Sequence, residues 1–433
     1  MVVLIKTLQV ILALSILIII HEFGHFIWAR IFGIKVEKFY LFFDVGGKAI
    51  AKWHWGETEF GIGWIPFGGY CKIAGMIDES MDLEQLKKAP EPWEFRVKPA
   101  WQRLLVMSGG VLNNFIFAIF AYILIAGIWG EAFISNKDAR IAPNELAREM
   151  GFRLGDHIIS FDDYEPSNFG MLQADLVRRN VQNAKILRGA DTLYLYIDQA
   201  YLPEALNNAG MFDLAVPFII DSMRYDGGNA SCGLEKGDKV VAFDGREVAY
   251  IQDSREVLAG CKGRSVEATV LRGADTLAVP VSVDSLGQIG VYLKMPAVEI
   301  RKYNAAEAVP AGLRLTGDSI SGYIKDLGLL LRPSSGAYKS VGSFIAIGQV
   351  FPETWDWYRF LNILALLSVM LGIMNLLPIP ALDGGHILFT LYEMVTGRKP
   401  SDRFLTVMQM IGMVLLLALM VLAFGNDIGR LIH

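Results

Sequence analysis

The chain has 433 residues, 53% of them hydrophobic, and a net charge of −5. That apolar excess excludes an ordinary soluble protein, and the length exceeds a single domain of about 100–200 residues. With 45 acidic against 40 basic side chains and no basic run, nothing points to nucleic acid.

Residues 1–33 are predicted to form the first of four membrane helices, since a span needs about 20 mainly apolar residues. Its basic start is weak (Lys6) and no small-x-small site follows, so it reads as a retained helix and not a cleaved leader. Residues 34–103 form a loop carrying Lys35, Lys38 and Lys48 early and Lys87, Lys88, Arg96, Lys98 and Arg103 late. Residues 104–130, "LLVMSGGVLNNFIFAIFAYILIAGIW" and the glycine after it, form the second helix. The third is expected over 359–387 and the fourth over 404–426, with Arg398, Lys399 and Arg403 in the 388–403 loop between them. Basic loops stay cytoplasmic, so both termini and the long middle segment should lie outside.

That middle segment repeats itself. "GFRLGDHIISFDD" (Gly151–Asp163) matches "GLEKGDKVVAFDG" (Gly233–Gly245), and "LRGADTL" occurs at Leu187–Leu193 and again at Leu271–Leu277. Two modules are implied, 131–214 and 215–298. In each, a Gly-Asp turn leads into an alternating strand, then a helix-compatible stretch, then two strands around a Gly-Ala-Asp turn. The pattern resembles a tandem pair of PDZ domains of the GLxxGDxIxxxDG type, with Asp163 replacing the last glycine in the first copy. The resemblance implies α+β modules built as partly open barrels. No CxxC pair exists. Cys232 and Cys261 share the second module, where two separate thiols are preferred to a disulfide. The connector, 299–358, contains "LRLTGDSISGYIKDLGLLL". With Arg314, Asp318, Lys325 and Asp326 it suits an amphipathic helix on the surface better than a fifth span.

The first helix holds HEFGH. His21 and His25 are four residues apart and share one helix face. Both imidazoles can therefore reach one zinc ion, with Glu22 beside it as general base. The plainer alternative is two histidines satisfied by neighbouring carbonyls. Two of the chain's six histidines stand here, however, inside a membrane helix where ionisable groups are costly. A catalytic zinc site normally has a third protein ligand. "NLLPIPALDGGH" offers Asp383, with His386 as a rival. Pro378 and Pro380 break the helix before it, and Gly384 and Gly385 allow close backbone approach.

HEFGH in the first span, NLLPIPALDGGH in the third and PDZ-like repeats between resemble the site-2 protease family of intramembrane zinc metalloproteases. The layout is similar to the sigma-E-regulating type within that family, a polytopic α-helical protein with four transmembrane helices and tandem outer PDZ domains. "GIGWIPFGGYCKIAG" (Gly61–Gly75) resembles the family's iPlGGYVk segment, part of a membrane-associated β region. "SGGVLNNFIFA" resembles its GPxxNfxxA motif, with Gly110 at the proline. The resemblance implies Zn²⁺ held by His21, His25 and Asp383, with Glu22 moving the proton. It further implies substrate contacts at Asn375, Asn113, Gly68, Gly69, Pro378 and Pro380; for the two asparagines, helix–helix hydrogen bonding is the competing role. It implies a bacterial inner-membrane location with the PDZ pair in the periplasm. The partners implied are membrane lipid and transmembrane protein substrates, an anti-sigma factor and remnant signal peptides. The PDZ pair would either gate substrates by size or recruit them. A PDZ scaffold without activity and a zinc transporter are the alternative functions.

Overall fold

The structure, a computed structural model, describes residues 1–66, 68–76, 89–207, 210–223, 229, 232–296, 298–332 and 337–432. Lys87 and Lys88, counted above among the basic residues, lie outside these, as does Phe67 of the Gly61–Gly75 segment. The chain divides into two compact units. One comprises Met1–Glu131, Lys302–Leu331 and Tyr338–His433; the other comprises Ala132–Arg301 and Arg332–Ala337.

The first unit is helical. Four of its helical segments are long and apolar enough to cross a membrane: Val2–Ile31, Ala100–Ile128, Trp357–Leu376 and Arg403–Gly429. We call the helices α1 (Val2–Ile31), α2 (Ala100–Ile128), α3 (Ala305–Leu330), α4 (Trp357–Leu376), α5 (Asp383–Thr396) and α6 (Asp402–Ile432). Local chemistry sets their ends. Asp356 caps α4 by accepting from the Arg359 backbone N–H at 3.1 Å, and Pro378 stops that helix. The capping box of Asn304 and Glu307 starts α3. Gly397, in the left-handed conformation, ends α5.

α2 is the hub, with α1, α3, α4 and α5 all packed on it. α1 and α2 touch backbone to backbone: a Cβ on Gly24 would lie 2.1 Å from the Gly109 carbonyl oxygen. The connector helix α3 lies along α2 and α4. Its Ala308 and Ala311 meet Ala126, Ser319 shares a 2.8 Å hydrogen bond with the Tyr122 hydroxyl, and Ile320, Tyr323 and Leu327 pack near Val369 and Ile373. Its Arg314 donates to Glu131.

After α1 the chain turns at Gly33 into a four-stranded sheet of β1 (Val36–Leu41), β2 (Ala49–Trp55), β3 (Thr58–Gly63) and β4 (Tyr70–Ile73), in the order β2-β3-β1-β4. β1 runs parallel to β3 and antiparallel to β4. Ile34, Val36 and Ile73 are buried with Ala29 of α1 and Val106 and Met107 of α2, which fastens the sheet beneath the helix pair. At about 25 cal/mol per Å² of apolar surface, burying such side chains stabilises by about 1.5–3 kcal/mol each.

The second unit holds two modules of matching pattern. In the first, strand Ile141–Pro143 pairs with Phe212–Leu214, and His157–Phe161, Asn183–Arg188 and Asp191–Tyr196 form an antiparallel sheet beside helix Leu172–Arg178. In the second, Ile220–Met223 pairs with Val291–Leu293, and Lys239–Phe243, Ser265–Arg272 and Asp275–Ser282 form the sheet beside helix Ile251–Ala259. The repeated motifs meet in space. Asp156, fully buried, takes two 2.8 Å hydrogen bonds from Arg188, and Asp238 takes the same pair from Arg272. Each arginine also donates to a turn carbonyl, Gly151 or Gly233. Among the described residues, Cys71, Cys232 and Cys261 form no disulfide.

Candidate active site

HEFGH lies in the last third of α1, and Asp383 is the first residue of α5. The helices bring three atoms into one triangle. His21 Nε2 and His25 Nε2 are 3.3 Å apart, and each is 3.3 Å from Asp383 Oδ2. His21 and His25 are 9% and 6% exposed. Among the described residues this is the one group of three or more His, Cys, Asp or Glu placed to share a metal ion. His386, the rival ligand, lines the same cavity but is not part of the triangle.

Backbone approach makes the triangle possible. A Cβ on Gly110 of α2 would sit 2.5 Å from His25 Nε2 and 2.7 Å from His21 Cε1, so only glycine fits there. A Cβ on Gly384 would lie 2.1 Å from the Leu377 carbonyl oxygen, which lets α5 start hard against the Pro378–Pro380 turn. His25 Nδ1 donates to the Val106 carbonyl at 2.9 Å, leaving the lone pair of a neutral ring on Nε2, inside the triangle.

The triangle fits zinc. A tetrahedral ion with bonds of about 2.0–2.1 Å sets its ligand atoms about 3.3–3.4 Å apart, the spacing found here. Asp383 Oδ2 is moreover buried without a hydrogen-bond partner, an arrangement that a cation relieves.

Glu22 lines a cavity of about 780 Å³ together with His21, His25 and Asp383. The backbone of Cys71, in β4, hydrogen-bonds to it. The other predicted residues divide. Gly68, Gly69 and Asn375 line the cavity. Pro378 and Pro380 do not line it; they shape the turn before Asp383. Asn113 donates to the Ile20 carbonyl at 3.3 Å, a bond between helices. Its neighbour Asn114, fully buried, instead lies 3.0 Å from His21 Nδ1. Shifting the GPxxN register by one residue, to Gly110 through Asn114, accounts for this and moves the proline position from Gly110 to Val111. The usable signal was Gly110 and Asn114 at i and i+4 on one helix face.

The cavity rim is polar. Asp44 accepts from Lys38 at 2.9 Å and from the Tyr70 hydroxyl at 2.7 Å. Burial pulls the Asp44 carboxyl upward, but those hydrogen bonds outweigh it and hold it below the usual carboxylate range. Burial and the bond to Asp44 push the Tyr70 phenol well above its ordinary value.

A helical bundle with two histidines, an aspartate and a glutamate around one cavity has the parts of a membrane metalloprotease. The sequence pattern of peptidase family M50 matches residues 9–419, and the chain belongs to that family. Its relatives include the regulator of sigma E protease of Haemophilus influenzae, 32% identical, with 97% of this chain and 98% of the relative covered. The regulator of sigma-E protease RseP of Escherichia coli is 29% identical at the same coverage. A Neisseria meningitidis protein with zinc metalloprotease in its name is 28% identical over 98% of this chain and 99% of its own. The chain is an integral membrane protein and an intramembrane zinc metalloprotease.

Proposed function

We propose that His21, His25 and Asp383 hold the zinc and that Glu22 is the proton carrier in hydrolysis of a peptide bond within a substrate's membrane span. The observation that carries this reading is the 3.3 Å triangle with Glu22 in the same cavity. Zinc, when bound, supplies a Lewis acid that polarises the scissile carbonyl and acidifies water toward a pKa of about 7. Glu22 takes the proton of the attacking water and delivers it to the leaving nitrogen. Helices α1, α4, α5 and α6 and strand β4 line the cavity in which this step takes place.

A substrate helix hides its peptide groups in its own hydrogen bonds. Once unwound, those groups need partners within protein. Asn375 and the backbone at Gly68, Gly69 and β4 line the cavity and offer them. The names of the Haemophilus and Escherichia relatives support substrates that control a sigma factor. An anti-sigma factor, cut after its outer domain has been trimmed, and remnant signal peptides are the substrates we propose. We read the two modules of the second unit as PDZ domains on the periplasmic side of the inner membrane, on the strength of the duplicated motif and the distribution of basic residues.

The test compares wild type with Glu22→Gln on a synthetic transmembrane segment, with zinc content measured in both. Glu22→Gln should cut nothing and keep its zinc, whereas His21→Ala should lose both. If Glu22→Gln loses zinc as His21→Ala does, Glu22 is a ligand and the assigned roles are wrong.

A further inference from the structure

α6 shows its apolar side chains to the outside: Met410, Ile411, Val414 and Leu417 are all exposed. Among its described residues only Gln409, Gly412, Ala423 and Asp427 are buried, and two of these four are polar. Polar groups at membrane depth stand only where protein or a water-filled cavity provides partners. Asp427 has such partners. It accepts from the Ser343 backbone N–H at 2.7 Å, the Ser343 hydroxyl at 2.6 Å and the Ala346 N–H at 3.3 Å. Gln409 is 4% exposed and has no hydrogen-bond partner among the described residues. It lines the cavity that holds His21, Glu22, Asp383 and Asn375.

The position of Gln409 is fixed. A Cβ on Gly412 would fall 1.6 Å from the Pro380 carbonyl oxygen and 3.0 Å from Ala381 Cβ. That contact seats α6 against the turn leading to Asp383. Gln409 is three residues earlier on the same helix face, so the same contact directs it at the cavity.

We propose that Gln409 binds substrate: its carboxamide pairs with one peptide group of the unwound segment beside Asp383. A carboxamide carries two donors and an acceptor, so it can meet the N–H, the C=O or both without adding charge. An apolar side chain would leave that peptide group without this partner, and a carboxylate would be buried without a counter-ion. Together with Asn375 on α4, it gives the cavity carboxamides from two helices.

This inference rests on the proteolytic reading above, and the experiment separates the two. Wild type, Glu22→Gln, Gln409→Leu and Gln409→Met are assayed on a transmembrane substrate and on a series in which single backbone amides near the cut are replaced by esters. Gln409→Leu should keep its zinc and lose about two- to tenfold in kcat/KM, the size of one lost neutral hydrogen bond. One ester position should cost wild type the same factor and cost Gln409→Leu nothing more. Gln409→Met, of matching length, should repeat the result if the branched side chain disturbs folding. Wild-type activity in both Gln409 variants, or ester penalties that multiply with the variant at every position, overturns the role of Gln409 alone. Cutting by Glu22→Gln, or no cutting by wild type, removes the proteolytic reading and this inference with it.

Discussion

Asn113 and Asn114 are neighbours on α2 with different work. Asn113 spends its amide on the Ile20 carbonyl, a bond of the kind worth about 0.6 kcal/mol on average between membrane helices. Asn114 faces His21 Nδ1, and its backbone carbonyl takes a 2.8 Å hydrogen bond from Ser368 that ties it to α4. A neutral His21 with Nε2 free for metal carries its proton on Nδ1 and must donate it. The Asn114 carboxamide oxygen, otherwise buried without a partner, is the matching acceptor once the amide is turned over. Asn114→Ala should therefore weaken zinc retention about 10–100-fold, the usual cost of losing a residue that orients a ligand. Asn113→Ala should leave retention near wild type. A chelator titration of both variants decides it, and equal behaviour would remove the orienting role.

At the scale of elements, the buried Asp–Arg pairs explain why two short strings recur. Asp156 and Asp238 stand just before one strand of each module, and Arg188 and Arg272 end a strand paired with it and reach back to them. The Arg272 hydrogen bonds hold the Asp238 carboxyl below its ordinary value. A depressed carboxyl adds stability above its unfolded pKa of about 3.9 and loses it as pH falls toward the folded value. Wild type should thus melt higher than Asp238→Asn at pH 7, and the gap should close below about pH 4. Melting curves of both proteins at the two pH values test this, and a constant gap would exclude the ion pair as its source.

The repeat itself was legible, because identical strings survive in one chain, but the pairing was not, because it joins residues more than 30 positions apart. Span positions were legible for the opposite reason, since hydropathy is local. The break at Leu377–Leu382 between α4 and α5 follows from Pro378, which the sequence displays. Gln409 was not legible. One glutamine in an apolar helix acquires meaning only when Gly412 fixes the face that α6 turns inward.

For the whole molecule, the triangle, Glu22 and the cavity all come from the first unit. Deleting about Ala142–Pro296 should leave zinc bound at wild-type stoichiometry. If the proposed periplasmic modules act as a gate, the deleted enzyme should also cut substrates that still carry bulky outer domains, which wild type refuses. If they recruit, it should cut trimmed substrates more slowly. We favour the gate, since a duplicated pair makes a better steric barrier than a single groove. Trimmed and untrimmed substrates assayed side by side with both proteins distinguish the outcomes. Untrimmed substrate left uncut, together with slower cutting of the trimmed one, excludes the gate.

The duplication also makes this chain its own alignment of depth two. Across the matched strings both copies keep Gly151/Gly233, Gly155/Gly237, Asp156/Asp238, Phe161/Phe243 and Asp162/Asp244, and every residue of Leu187–Leu193 against Leu271–Leu277. The six glycines and the pair Asp162/Asp244 all have positive φ, Phe161 and Phe243 are buried, Asp156/Asp238 and Arg188/Arg272 are partners in the ion pair, and the rest of the second string is mostly exposed. Drift has thus been held at the torsions, at one ion pair and along the hairpin turn that follows its arginine. It has run free on the helices, where "LQADLVR" stands against "IQDSREVLA". The two copies have inherited one skeleton and given it two different faces.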